Sequence, residues 1–187
     1  MLFRSKIYLE RKHYSENMNP ISSLVFVLLL TVFPTQILCQ TPLIEQACGY
    51  TTYKILCHQT LGPDSEAHSA TDLKTLAKLA LKHTENQATD IDNKIIELIN
   101  SAAGDVKPVL SNCSDKYLTV VEKIQAAESS FAYGDVGGAK TWLKDATSNR
   151  NMCDEGFKGK PFKSPISDLT NKLGMMQNNA ESIIAHI

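Results

Sequence analysis

The sequence predicts an all-α protein, a four-helix bundle in up-down-up-down order with an N-terminal α-hairpin extension. Beyond Ser69, apolar residues recur at spacings of three and four over four long stretches, the periodicity of amphipathic helices. Glycine or proline marks each boundary between these stretches. No strand-like alternation of apolar and polar residues competes with this pattern, so short turns between antiparallel helices are expected.

An apolar leader precedes the predicted fold. The run 21–33 is too short to span a bilayer, but it has the length of the hydrophobic core of a secretory signal peptide. Pro34 and the small residue Cys39 suit the approach to a cleavage site. We therefore expect residues 1–39 to be a signal peptide. Met18 is an alternative start, because the segment from Met18 to the cleavage site has an ordinary signal-peptide length.

The mature chain, residues 40–187, has the size of one domain and can bury a core. It carries 15 basic and 18 acidic residues, a net charge of −3, which argues against nucleic acid as a partner. It contains no second apolar run of membrane-spanning length. The mature protein is therefore expected to be secreted, with no membrane contact.

The α-hairpin is expected over residues 40–68. Two short amphipathic pieces, 41–50 and 52–61, carry Cys48 and Cys57. They contain too few apolar residues to be stable unaided. The hairpin is therefore expected to pack on the bundle or on a neighbouring molecule.

The bundle is expected over residues 69–187. The apolar stripe of its first helix runs over 73–102. Ser69 with Asp72 three residues later fits a capping box, which would start this helix. Gly104 is suited to end this helix.

The second and third bundle helices are predicted from the same apolar periodicity. The second stripe runs over 106–131 and is ended by Gly134, after which Asp135 is a good N-cap. The third stripe runs over 136–146 and continues less regularly to Cys153. The fourth helix is predicted to open at Ser164-Pro165, a cap followed by a first-turn proline, and its stripe extends to the end of the chain.

Removal of Cys39 leaves four cysteines: Cys48, Cys57, Cys113 and Cys153. An even number in an oxidising compartment predicts two disulfides. Four cysteines allow three pairings. Cys48–Cys57 would close the hairpin, and Cys113–Cys153 would join the second bundle helix to the end of the third.

The mature sequence contains no motif typical of catalysis or of a metal site. Cys57 and His58 are adjacent, but neighbours on a helix point about 100° apart and Cys57 is expected to be oxidised. The Glu-x-x-His pattern of di-metal bundles is missing, and His83 is expected on a helix face. We predict no catalytic residue, no metal and no cofactor. Asn112 begins the sequon Asn112-Cys113-Ser114 and is a glycosylation candidate.

Several short segments resemble the plant invertase/pectin methylesterase inhibitor family over nearly all of residues 43–187. They are Ile44-x-x-x-Cys48, Tyr53-x-x-x-Cys57, Cys113-x-x-x-Tyr117, Gly134-Asp135, 142–146 and 153–157. The tail from Phe157 to Pro165 is similar to a pollen-allergen branch described as invertase inhibitors. The resemblance implies a four-helix bundle with disulfides Cys48–Cys57 and Cys113–Cys153. It also implies that the protein is not an enzyme but an inhibitor acting in the apoplast, the plant cell-wall space.

The resemblance leaves two target enzymes open. Invertase-directed members carry Pro-Lys-Phe after the Gly-Asp that opens the third helix, and this chain has Val136-Gly137-Gly138 there. The triplet lacks the cation and the aromatic side chain that would anchor it in a cleft. We therefore favour pectin methylesterase as the partner, with acid invertase as the alternative. A small-ligand carrier and an allergen-type structural protein are the alternatives from other functional classes.

The expected contact surface consists of exposed positions on the second and third bundle helices. It comprises Asp115, Lys116, Glu122, Lys123, Val136, Gly137, Gly138, Lys140, Lys144 and Asp145.

Overall fold

A computed structural model describes residues 41–187. The proposed signal peptide, including Cys39 and Met18, lies outside these residues. The described part contains seven helices and no strand, which confirms the all-α class. The helices are α1 (Pro42–Gly49), α2 (Lys54–Leu61), α3 (Ser65–Ser69), α4 (Leu73–Ser101), α5 (Val106–Ala132), α6 (Val136–Gly156) and α7 (Ser167–Ile184).

Helices α4 to α7 pack along one another, most extensively α5 against α6. Contacts between successive helices join the early part of one helix to the late part of the other. They are Glu85 with Gln125, Cys113 with Cys153, and Arg150 with Thr170. These contacts favour the alternating direction expected from the short turns.

Two apolar clusters fill the interior, one at each end of the long helices. One cluster gathers the start of α4 and α6 and the end of α5 and α7, with Leu76 and Phe131 fully enclosed. The other surrounds Tyr117 and the Cys113–Cys153 disulfide. The hairpin therefore packs at the end of the bundle where α6 begins, and the second disulfide lies at the opposite end.

The hairpin packs against the bundle through buried side chains and through a pair of hydrogen bonds between Asn179 and Tyr53, which we call the clamp. Ile44 of α1 and Leu61 of α2 are at most 1% exposed, within the cluster that also contains α4 and α7. The buried Asn179 of α7 accepts a hydrogen bond from the Tyr53 backbone N–H at 3.1 Å. Its side-chain amide also donates to the Tyr53 carbonyl at 2.9 Å. The bundle thus supports the hairpin.

Two helix starts differ from the prediction. The cap of α4 is Asp72, whose carboxylate accepts from the Thr75 N–H at 2.7 Å, while Ser69 ends the short helix α3. Helix α3 was missed because five residues are too few for a periodic signal. Helix α7 begins at Ser167, after Ser164, and its N-cap has no side-chain hydrogen bond. Pro165 therefore lies before the helix and not in its first turn.

Candidate functional site

Helices α5 and α6 form a layer that is fixed at both ends. At one end the Cys113–Cys153 disulfide brings the two Cα atoms to 4.6 Å. At the other end Gly134, with φ +84°, makes the tight turn between the helices. That backbone conformation strains any residue with a side chain, so glycine is required there. The layer therefore presents its outer side chains in a fixed relative position.

The expected contact residues differ in how much of each is accessible. Asp115, Glu122, Gly137 and Lys144 are exposed. The half-buried members are Lys116, Lys123, Val136, Gly138, Lys140 and Asp145. Positions seven apart on α5 share a face two turns apart, so the acidic pair Asp115 and Glu122 lies on one stripe, about 10 Å end to end.

A contact between Lys123 of α5 and Trp142 of α6 joins the two helices of this layer, and it was not predicted from the sequence. The Lys123 ammonium lies 4.3 Å from the centroid of the Trp142 ring. This cation–π geometry attracts the charge to the ring and fixes both side chains. Lys123 is therefore part of the seam between α5 and α6 and not a freely extended cation. Only part of this contact was visible in the sequence, namely that Trp142 is the single tryptophan of the chain.

The first turn of α6 is capped by Asp135, as the sequence predicts. Its carboxylate accepts from the Gly138 backbone N–H at 2.8 Å. Val136 is half-buried and packs against the apolar cluster, so its side chain points inward. Gly137 is exposed and offers backbone alone. The cap counteracts the weakness that two glycines bring to the turn, and the turn presents no anchoring side chain.

The two glycines of this turn are expected to respond differently to alanine. A Cβ on Gly137 would meet the Asp135 carboxylate at an ordinary 3.7 Å, whereas one on Gly138 would collide with that carboxylate. Gly137→Ala should therefore raise the free energy of unfolding by about 1 kcal/mol. Gly138→Ala should gain little, because displacing Asp135 breaks a cap bond worth about 1 kcal/mol. Urea unfolding of both variants measures the difference, and equal gains would contradict the role of the cap.

A polar cluster lies beneath the Cys113–Cys153 end. Arg150 of α6 donates to the Thr170 carbonyl of α7 at 3.0 Å and crosses α7 beside Gly174, where a Cβ would collide with the guanidinium. Burial raises the pKa of Asp154, although a Thr170 hydrogen bond and the Arg150 charge oppose that shift. Burial, and next the nearby Asp154 charge, raise the pKa of the Tyr117 hydroxyl. This half-buried cluster joins α7 to α6.

The remaining residues singled out from the sequence have structural positions. Cys57 is bonded to Cys48 at a Cα separation of 5.5 Å, so it carries no free thiol beside His58. His83 lies within hydrogen-bonding distance of Asp64, with 2.6 Å between Nε2 and Oδ2. Asn112 is exposed on α5, and its glycosylation stays a prediction. Within residues 41–187, no three potential metal-ligating side chains cluster together.

A family profile described as plant invertase/pectin methylesterase inhibitor matches residues 42–183. The chain belongs to this family. Its members are inhibitors and not enzymes, so the protein is an inhibitor of the pectin methylesterase/invertase type. The match spans the hairpin and all four long helices, as the resemblance implied.

Two solved structures share the fold of this family member. A mutant form A of a pectin methylesterase inhibitor from Arabidopsis has a TM-score of 0.62 and 20% identity. That comparison covers 77% of this chain and 95% of the other. A pectin methylesterase inhibitor from Arabidopsis thaliana gives a TM-score of 0.55 and 21% identity, over 76% of this chain and 93% of the other. No match is found among curated proteins.

Among the helices within residues 41–187, none combines the length and the apolar character needed to cross a membrane.

Proposed function

We propose that this family member is secreted to the plant cell wall and inhibits pectin methylesterase by laying α5 and α6 across the active-site cleft. In this proposal residues 1–39 are the signal peptide, 40–68 the hairpin and 69–187 the bundle. Pectin methylesterase is the preferred target and acid invertase the alternative.

The observation that carries the preference is the first turn of α6. Val136 packs inward, Gly137 has no side chain, and Asp135 is engaged with the Gly138 N–H. A deep cleft is best filled by a large anchoring side chain, which this turn does not supply. A broad contact over the outer faces of two helices needs no such anchor.

The charges of the layer support a polar contact of this kind. Glu122 and Lys144 are exposed on neighbouring helices, and Lys140 lies one turn before Lys144 on α6. Because α5 and α6 are fixed at both ends, little backbone freedom is lost when this layer meets a partner. Such charges govern association rate and specificity more than total affinity.

The test is inhibition of a panel of plant pectin methylesterases and an acid invertase at fixed pH and salt. We expect near-stoichiometric inhibition of at least one pectin methylesterase. The double variant Lys140→Glu/Lys144→Glu should weaken that inhibition tenfold or more. The matched control Lys160→Glu/Lys163→Glu changes charge equally in the exposed loop between α6 and α7 and should leave inhibition unchanged.

Three outcomes would overturn parts of this proposal. Inhibition of invertase alone would reverse the preferred target. Inhibition of neither enzyme would contradict the proposed function. Equal loss of inhibition in both double variants would show that the α5–α6 face is not the contact surface.

A further inference from the structure

An apolar groove outside the α5–α6 layer is not used by the proposed inhibitor surface. It runs between α2 and α7 and offers about 680 Å³ of open volume. Its apolar lining consists of Tyr53, Ile55, Leu56 and Met175. Ile55 is 76% exposed, which is unfavourable for so large an aliphatic side chain in water. The groove volume falls within the range of about 300–1,000 Å³ typical of small-ligand sites.

The charges at the groove have one sign. Lys54 and Lys172 both line it, and no acidic residue within the described range 41–187 does. Neither lysine takes part in the ion pairs formed within residues 41–187. An apolar surface bordered by two lysines that form no ion pair within residues 41–187 is complementary to a molecule with an apolar body and a negatively charged end.

The start of α2 adds to this positive character. The helix begins at Lys54 without a side-chain cap, and its first turn contains no acidic residue. Backbone N–H groups at such a start favour an anion over a cation. Here this feature supplements the two lysines and the apolar lining, which are independent of it.

The groove is also held in shape before any ligand arrives. Asn179 binds both the N–H and the carbonyl of Tyr53, so the residue that opens α2 is fixed against α7. The Cys48–Cys57 disulfide restrains α2 from the other side. A preformed site loses less conformational entropy on binding than one that must be ordered.

We propose that the groove between α2 and α7 binds an amphipathic carboxylate, with its alkyl or aromatic body on Tyr53, Ile55 and Met175 and its carboxylate between Lys54 and Lys172. This is a ligand site separate from the α5–α6 surface. The groove's size and single sign of charge favour such a small molecule over a second copy of the protein.

The probe is sodium decanoate below its micelle concentration, followed by amide chemical shifts of the isotope-labelled protein. We expect saturable shifts centred on residues 52–59 and 172–175. Decyltrimethylammonium, with the same chain and a positive head, should bind at least tenfold more weakly. Lys54→Glu/Lys172→Glu should raise the decanoate Kd tenfold or more, and Ile55→Ser should also raise it. The control Lys160→Glu/Lys163→Glu should leave it unchanged.

Each alternative result has a distinct signature. Equal binding of the two amphiphiles would overturn the assigned charge preference. Scattered or non-saturable shifts would overturn the site. Shifts of the same residues that depend on protein concentration without decanoate would indicate that a second copy occupies the groove, which would also overturn the proposal.

Discussion

Replacing Cys113 and Cys153 together by alanine is expected to lower the free energy of unfolding by about 4 kcal/mol. The disulfide closes a loop with a sequence separation of 40, and a loop of that length removes about 3.9 kcal/mol of chain entropy from the unfolded state. Both cysteines are 1% exposed, so alanine fits without placing a polar group in the interior. Urea unfolding under non-reducing conditions measures the loss.

The Cys48–Cys57 pair provides the matched control. Its sequence separation is 9, for which the same entropy argument gives about 2.6 kcal/mol. The two double variants should therefore differ by about 1 kcal/mol, with the hairpin variant the more stable. If the hairpin variant were equally or less stable, loop length would not govern the contribution of these disulfides.

The same pair of variants separates the two proposed surfaces. The Cys113–Cys153 disulfide fixes the α5–α6 layer, whereas Cys48–Cys57 restrains α2 at the groove. Below the unfolding transition, loss of the first should affect enzyme inhibition more than decanoate binding. Loss of the second should have the reverse effect.

The four long helices were predictable because their burial is periodic. An amphipathic helix of about eighteen or more residues repeats its apolar spacing many times, so a single buried polar residue such as Thr84 does not hide it. Starts of helices depend on single hydrogen bonds instead. Both Asp72 and Ser69 are good caps by residue type, and the bond from Thr75 to Asp72 decides between them.

The contact surface was predictable in composition but not in detail. The sequence places Glu122 and Lys144 on outer faces, where both are exposed. It could not reveal that Lys123 is drawn onto the Trp142 ring, since that contact depends on the register between α5 and α6. The charge of a residue is read from the sequence, but its availability to a partner depends on its neighbours in space.

The contact between Asn179 and Tyr53 was also invisible in the sequence, because the residues lie 126 positions apart. Asn179 is only 5% exposed, although its polar amide does not match the apolar residues that normally fill a buried helix face. A buried polar side chain requires hydrogen-bonding partners, and the Tyr53 backbone supplies them. A polar residue on a buried helix face therefore indicates a partner elsewhere in the chain, which periodicity alone does not identify.

Replacing Asn179 by alanine is expected to lower the free energy of unfolding by about 2–3 kcal/mol. The change removes two hydrogen bonds and leaves the N–H and the carbonyl of Tyr53 without the partners that the structure gives them. Asn178→Ala is the matched control, since that neighbouring side chain is exposed and the change should stay within about 0.5 kcal/mol.

Asn179→Asp tests the donor half of the clamp alone, because it keeps the acceptor for the Tyr53 N–H but places a carboxylate oxygen against the Tyr53 carbonyl. At neutral pH it should be destabilised through that repulsion. Amide hydrogen exchange locates the effect. Loss of the clamp frees the start of α2 from α7, so α1 and α2 should exchange faster while the α5–α6 layer keeps its protection. Equal destabilisation by the Asn178 and Asn179 changes, or uniform loss of protection along the chain, would show that the clamp does not hold the hairpin.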